Sequence, residues 1–316
     1  MYTSLSDYLK KEYGEKLYKL SLSSGCTCPT RDGSKAVGGC IFCSAGGSGD
    51  FAAKSAGKEN GAIVTPDELY VQIEDAKRRV SKKAHADRYI AYFQSYTNTY
   101  GDIDALRELY TAAIKHPDIS VLSVATRPDC LPDEVVGMLR ELNSVKPVWV
   151  ELGLQTSREK SARYIRRGYE NSIYKDAVSR LNDAGIKVVT HIILGLPGET
   201  CDDMKASLDY AVSCGTWGIK LQLLHVLSGT DLEKDYRAGM FSVMSLEEYV
   251  SLVTKLIQAL PENIVVHRLT GDGPKKLLIA PLWSADKKRV LNTLNRELAT
   301  LRFSQSRQPR AYKEDI

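Results

Sequence analysis

Leu17-Tyr18-Lys19-Leu20-Ser21-Leu22-Ser23-Ser24-Gly25-Cys26-Thr27-Cys28-Pro29-Thr30-Arg31-Asp32-Gly33-Ser34-Lys35-Ala36-Val37-Gly38-Gly39-Cys40-Ile41-Phe42-Cys43 joins a short apolar-rich run to a cysteine-bearing loop. Leu17–Leu22 reads as a first β-strand feeding directly into that loop. Three thiolates, Cys28, Cys40 and Cys43, can hold three irons of a [4Fe–4S] cube and leave the fourth iron open, whereas a structural metal site closes its coordination sphere. The cysteines alone leave two other readings open. With Cys26 they form Cys-x-Cys and Cys-x-x-Cys pairs that could close tetrahedrally around zinc. A Cys-x-x-Cys pair can also be a redox dithiol, but that motif opens a helix after a strand. Here it follows two glycines and runs into Ser44-Ala45-Gly46-Gly47-Ser48-Gly49.

Beyond this loop the chain alternates short β-rich runs with helical patterns, the signature of parallel βα units. Residues 44–64 are glycine-rich and read as a loop. Thr65-Pro66-Asp67-Glu68 then starts a helix with an N-cap, a first-turn proline and a capping box, running to about Lys83. Further strands are expected at Tyr89–Phe93, Ile119–Ala125, Val148–Leu152, Lys187–Leu194 and Ile219–His225. Six such units give a doubly wound sheet or a barrel. The polar signatures fall at the C-terminal ends of successive strands, where parallel β/α folds keep their chemistry. The expected class is therefore α/β, an open partial (β/α)6 TIM-like barrel over residues 1–260. Residues 261–316, starting with Val265-Val266-His267-Arg268-Leu269-Thr270-Gly271-Asp272-Gly273-Pro274, break the rhythm. They read as a C-terminal cap or extension ending in a basic helix near 285–301.

The 316 residues are 43% hydrophobic, enough for one large α/β domain, and the net charge is only +4. The charge is uneven: residues 275–316 carry ten Lys/Arg against four acids, leaving the rest slightly acidic. A basic segment on a near-neutral body points to a polyanionic partner, or to a solvated helical face. An odd number of cysteines, seven, argues against a disulfide framework. The N-terminus lacks a basic-then-apolar signal pattern, and no apolar run is long enough for a membrane span, so a cytoplasmic protein with no membrane partner is expected. Cys130, Cys201 and Cys214 match no second cluster spacing.

The strand ends carry Gln94-Ser95-Tyr96-Thr97-Asn98-Thr99-Tyr100, Ala125-Thr126-Arg127-Pro128-Asp129-Cys130-Leu131, Val150-Glu151-Leu152-Gly153-Leu154-Gln155-Thr156, Ile165-Arg166-Arg167-Gly168-Tyr169, His191-Ile192-Ile193-Leu194-Gly195-Leu196-Pro197-Gly198-Glu199 and Ile219-Lys220-Leu221-Gln222-Leu223-Leu224-His225. Each alone is a weak signal. In this order, after a three-cysteine loop and followed by HRLTGDGP and IAPLWS, they resemble the YhcC/YtqA-type bacterial radical S-adenosylmethionine (radical SAM) family. That family is related to the catalytic subunit of elongator and to the oxygen-independent coproporphyrinogen oxidases. The resemblance runs from Cys28 to Trp283. Thr30 stands where the family would have Asn, and Cys26 where a non-ligand residue is expected.

The resemblance implies that Cys28, Cys40 and Cys43 ligate a [4Fe–4S] cluster and that S-adenosylmethionine is the second cofactor. Phe42 would lie against the adenine. Gln94 and Ser95 would meet the methionine amino group, and Gln155 and Arg167 the carboxylate region. His191 would contact the ribose, opposite the turn at Gly195, with Glu151 a further polar residue at the rim. Arg167 suits its part, because a guanidinium offers a planar donor fork. No residue is assigned to catalysis on the substrate itself. The implied activity is modification of the wobble uridine of tRNA, 5-carboxymethylaminomethyl-(2-thio)uridine to 5-aminomethyl-(2-thio)uridine. The implied partners are the anticodon stem-loop and an electron donor such as flavodoxin or ferredoxin. A radical SAM enzyme acting on a small metabolite and a non-catalytic zinc-bearing RNA-binding protein are the alternatives.

Overall fold

A computed structural model describes residues 2–44, 46–47, 62–82, 84–271 and 273–306, without the side chains of 301–306. Most of the glycine-rich 44–64 loop, Lys83, Asp272 and the basic residues beyond 306 lie outside the described residues. The elements in chain order are β1 (Thr3–Ser4), α1 (Leu5–Tyr13), β2 (Tyr18–Leu22), α2 (Pro66–Ser81), β3 (Tyr89–Phe93), α3 (Ile103–Lys115), β4 (Ile119–Thr126), α4 (Asp133–Asn143), β5 (Val148–Gln155), α5 (Glu159–Tyr164), α6 (Asn171–Asp183), β6 (Lys187–Leu194), α7 (Cys201–Ser213), β7 (Gly218–Leu223), β8 (Val226–Leu227), α8 (Asp231–Arg237), α9 (Leu246–Ala259), β9 (Val265–Arg268), β10 (Leu278–Ala280) and α10 (Lys287–Ser306).

The strands follow the sequence pattern because both faces of a parallel sheet are covered, so they read as nearly continuous apolar runs. All five residues of β3 are buried. Helix starts follow their caps: Thr65 and Glu68 form the expected capping box on α2, and Thr200 with Asp203 and Ser245 with Glu248 do the same on α7 and α9. The six expected strands are all present. Two more complete an eight-stranded sheet in the order β1-β9-β7-β6-β5-β4-β3-β2, every pair parallel. Val265–Arg268, expected in a cap after residue 260, is β9 of this sheet, paired with β7 and β1. Only two of its four residues are buried, so the apolar run that marks the other strands is short here.

The sheet curls into a half-barrel. Flat, β2 and β5 would lie about 14 Å apart, three spacings of about 4.8 Å. Yet Lys19 on β2 donates to Glu151 on β5 at 2.7 Å, and Lys220 on β7 pairs with the same carboxylate. Glu151 thus joins strands from both sides of the sheet across the interior. On the outer face, α2, α3, α4, α6, α7 and α9 pack on the sheet around Leu122, Leu152, Ile192 and Leu221. At the N-terminal end of the barrel, Leu9 on α1 joins Leu17, Ile90, Val121 and Trp149, with Tyr8, Tyr13 and Trp217 against them. The expected basic helix is α10. Val290, Leu294 and Leu298 bury one stripe in the outer core, while Lys288 and Arg289 are exposed. Among the described residues no helix is long and apolar enough to cross a membrane.

Candidate functional site

The three cysteines of the loop after β2 come together at the C-terminal end of the barrel. Cys28, Cys40 and Cys43 line one cavity with Phe42, Tyr96, Arg127, Glu151, Gln155, Arg167 and His191. Cys26 is elsewhere: it belongs to the outer core, 4% exposed, beside Gly101, where a Cβ would lie 3.6 Å from its sulfur. Burial pushes its thiol up to about 11. The four-thiolate zinc arrangement is therefore not built, because Cys26 lies on the other side of the loop from the cavity. Thiolates around zinc would lie about 3.8 Å apart, given bonds of about 2.3 Å. Among the described residues no three cysteine sulfurs gather that closely; the one tight trio of possible ligands, Glu74, His116 and Asp118, already holds the Lys77 ammonium between its two carboxylates.

The loop is held by its own residues. Arg31 donates to the carbonyls of Cys43 (3.4 Å) and Ser44 (2.5 Å), and Cys28 Sγ shares a hydrogen bond with Thr30 Oγ1 at 3.1 Å. Thr30, where the family pattern has Asn, thus still serves the first cysteine. A hydrogen bond from Cys40 holds the Cys43 thiol below its usual range; Arg31 adds to this, against burial. The same hydrogen bond and burial push Cys40 up. Three cysteines on one cavity whose sulfurs do not gather as a trio at zinc-site spacing, with Arg31 and Arg127 nearby, suit a negatively charged iron–sulfur cube better than a single ion.

Gln155 closes β5 in a left-handed conformation, φ 66°, and its amide folds back over Gly153. A Cβ at Gly153 would lie 2.4 Å from Gln155 Nε2, which is why glycine stands two residues before this glutamine. Tyr96 (φ 59°) and Arg166 (φ 55°) are the other described non-glycine residues at positive φ. Tyr96 lines the cavity like Gln155, and Arg166 precedes the lining residue Arg167. Backbone strain of this kind concentrates at binding sites.

Arg167 lines the cavity but is 1% exposed, and its guanidinium is committed to the protein. It donates to the carbonyls of Leu154 (3.1 Å), Thr156 (2.8 Å) and Tyr169 (2.6 and 2.9 Å) and to Asn171 Oδ1 (2.9 Å). In place of the donor fork for a carboxylate expected from the sequence, Arg167 fastens the backbone that carries Gln155. Gln94 lines a second cavity, which shares Phe42, Cys43, Ile193 and Gln222 with the first. Ser95 is buried between Gln94 and Tyr96, and Gly195 makes the turn after β6 at φ 87°.

Beneath the cavity lies a polar layer. Glu151 is fully buried and accepts from Lys19 (2.7 Å), Ser123 (2.9 Å), Lys220 and the His191 ring (Nε2 to Oε2, 2.7 Å). Burial opposes its charge, but Lys19 and Lys220 outweigh it and hold the carboxyl well below the usual range. Burial, with Lys220 nearby, pulls His191 down to about 4. A neutral His191 facing a carboxylate keeps its proton on Nε2, leaving Nδ1 as an acceptor. Sequence reasoning placed Glu151 at the rim; it is the centre of the interior. Lys19, Tyr92, Arg127, Tyr169 and Gln222 were not singled out. Charged residues inside strand runs, as in Tyr18-Lys19-Leu20 and Trp149-Val150-Glu151-Leu152, were the available signal.

The radical SAM superfamily model matches residues 33–211, and a radical SAM C-terminal domain model matches residues 216–300. The chain is 43% identical to the uncharacterised protein YtqA of Bacillus subtilis, over 94% of this chain and 89% of YtqA. It is 24% identical to a tRNA uridine(34) acetyltransferase of Methanocaldococcus infernus, over 50% of this chain and 30% of that protein. Among solved structures, the Elp3 protein of Methanocaldococcus infernus superposes with a TM-score of 0.59 at 19% identity, covering 68% of this chain and 57% of that one, which shows a shared fold. The eight-stranded half-barrel with its three-cysteine cavity belongs to an enzyme of the radical SAM superfamily.

Proposed function

We propose that the enzyme converts 5-carboxymethylaminomethyl-(2-thio)uridine at the wobble position of tRNA to the 5-aminomethyl form, using S-adenosylmethionine and a [4Fe–4S] cluster held by Cys28, Cys40 and Cys43. The observation that carries the reading is the pair of joined cavities. One holds the three cysteines, Gln155 and His191; the other opens past Gln94 and Gln222 beneath the C-terminal segment. The first suits the cofactors and leaves the second for a substrate group. The choice of substrate draws on the distant relative named for uridine 34 of tRNA and on the basic face of α10.

When bound, the cluster would supply the one-electron reduction that splits S-adenosylmethionine and starts hydrogen abstraction. The chain's own residues do the rest. Gln155, fixed by Gly153 and Arg167, presents its amide to the methionine part. His191 Nδ1 accepts from a ribose hydroxyl, and Phe42 packs on the adenine. Gln94 and Ser95 serve the amino group, while Gly195 lets the backbone turn close to the nucleoside. Phe42 and Ile193 keep water from the shared wall. An RNA stem would lie on α10 with a splayed base reaching the cavities, and a flavodoxin- or ferredoxin-type donor would supply electrons. Mass spectrometry of tRNA nucleosides from a deletion strain tests the reading. Accumulation of the carboxymethylaminomethyl nucleoside with loss of the aminomethyl one is expected; an unchanged nucleoside profile contradicts it.

A further inference from the structure

The wall common to the two joined cavities holds one polar side chain that the cofactor assignments do not use. Phe42, Cys43, Gly47, Ile193 and Gln222 line both cavities. Phe42 and Ile193 are apolar, Gly47 has no side chain, and Cys43 is one of the three cysteines proposed for the cluster. That leaves Gln222. β7 sets its place. Lys220 reaches into the barrel, where it meets Glu151 and the Tyr92 hydroxyl. Gln222 stands two residues further along the strand, on the same face and roughly 6.6 Å nearer the C-terminal mouth. Its register partner on β6 is Ile193, as His191 is the partner of Lys220. The wall thus rises from the polar layer to an apolar rim with one carboxamide in it.

Gln72 shows how a glutamine that serves the fold behaves. Its carbonyl accepts from the Ser23 N–H at 2.9 Å and its amide donates to the Ser23 carbonyl at 3.1 Å. Among the described residues none makes such a bond to the Gln222 carboxamide. A carboxamide sets an N–H donor beside a C=O acceptor, so its complement is any edge with a C=O beside an N–H. Uracil has two such edges, O4 with N3–H and N3–H with O2. The wobble nucleoside carries oxygen or sulfur at C2, and sulfur is a weak acceptor, so only the O4 edge is the same in both forms. C4 is also bonded to C5, which bears the reacting chain, and it lies across the ring from N1, which bears the ribose.

We propose that Gln222 receives the O4/N3–H edge of the wobble uracil and so directs its C5 chain to the cofactor cavity. This rests on the reaction proposed above. An unpaired base in an RNA loop is read in this way, by hydrogen bonds to its Watson–Crick edge. With that edge on Gln222, C5 stands at the wall shared with the cysteine cavity. The ribose then lies on the far side of the ring, toward the second cavity and the way out to the RNA. A base held by its N3–H/O2 edge would put C5 on the far side instead.

The test compares two anticodon stem-loops with the same 5-carboxymethylaminomethyl chain at the wobble base. One carries it on uracil, the other on pyrimidin-2-one, which lacks O4 and N3–H and adds no bulk. Affinities are measured on the reconstituted holoenzyme and its Gln222→Leu and Gln222→Asn variants. Cluster absorbance and thermal unfolding verify that each variant is folded. The parent should bind the uracil RNA about tenfold more tightly, the worth of roughly one hydrogen bond. The ratio should fall to near one in Gln222→Leu and be partly kept in Gln222→Asn. A parent ratio near one, or an undiminished ratio in Gln222→Leu, overturns the inference while leaving the proposed reaction standing. If S-adenosylmethionine affinity falls in Gln222→Leu while the ratio holds, the amide serves the cofactor and the inference is likewise overturned. If the parent converts no uracil RNA, the proposed reaction fails, and saturation-transfer NMR with 1-methyluracil tests the site by itself. A signal that disappears in Gln222→Leu supports it. No signal in the parent, or an equal one in both proteins, overturns it.

Discussion

The two ends of the barrel interior are built on opposite principles. At the N-terminal end Leu9, Leu17, Ile90, Val121 and Trp149 form an apolar cluster under α1. At the C-terminal end Gln94, Gln155, His191 and Gln222 stand around open cavities, and Gln155, Tyr96 and Arg166 there have positive φ. Glu151 and its lysines lie between. The aliphatic part of this cluster can be understood from packing. The mouth contains strain and buried charge that packing does not require, and such departures mark the end that binds and reacts.

Breaking the layer between the ends should have the largest effect. Glu151→Leu leaves the buried Lys220 ammonium and the partly exposed Lys19 ammonium without their carboxylate and should cost about 3–5 kcal/mol. Urea unfolding should show a larger loss than for Trp149→Phe in the apolar cluster. If Glu151→Leu is as stable as the parent, the layer is not the electrostatic keystone described here.

The same contrast can be read by pH. His191 is pulled down to about 4 in the fold against about 6.5 unfolded, so between these values the unfolded chain binds the extra proton. Its contribution is therefore fully present above about pH 6.5 and is lost as pH falls toward 4, on the order of 3 kcal/mol in all. Glu151, held low, adds stability that is lost only at still lower pH. His191→Gln should flatten the slope of stability against pH over that window, and an unchanged slope would place its origin elsewhere.

Arg167→Ala sharpens the distinction between holding a ligand and holding the backbone. It leaves the carbonyls of Leu154, Thr156 and Tyr169 short of donors, a loss of about 1–3 kcal/mol. Thermal unfolding should fall together with S-adenosylmethionine affinity. A pure affinity loss with unchanged stability would restore the direct carboxylate role.

The smallest effect on the fold is expected outside the barrel. Reversing Lys287, Lys288 and Arg289 to Glu should leave thermal unfolding near the parent's, weaken tRNA binding and flatten its salt dependence. Unchanged binding would shift attention to α2. There Lys77 is already paired with Glu74 and Asp118, and Arg78 with Asp75.

The six central strands were legible because each is an apolar run ended by Gly, Pro or a polar cluster. β9 was not: it is four residues long, half-buried, and ends in His267-Arg268, which reads as loop. The site was legible as a set of residue types at strand ends, and the cavity gathers most of them. Their division of labour was not legible, because it depends on contacts distant in sequence. Arg167 is turned to its own backbone, and Glu151 is reached by Lys19 from 132 residues away. Cys26 and Cys28 are two residues apart on opposite sides of the loop, which spacing alone could not show.

The most direct measurement of the central claim, three cysteines at one cavity and a fourth outside it, is the iron content and visible absorbance of four anaerobically reconstituted single variants. Cys28→Ala, Cys40→Ala and Cys43→Ala should each lose the iron and the [4Fe–4S] absorbance, while Cys26→Ala keeps both at the parent's level. Loss of metal from Cys26→Ala as complete as from the other three would contradict the account and return the site to four thiolates.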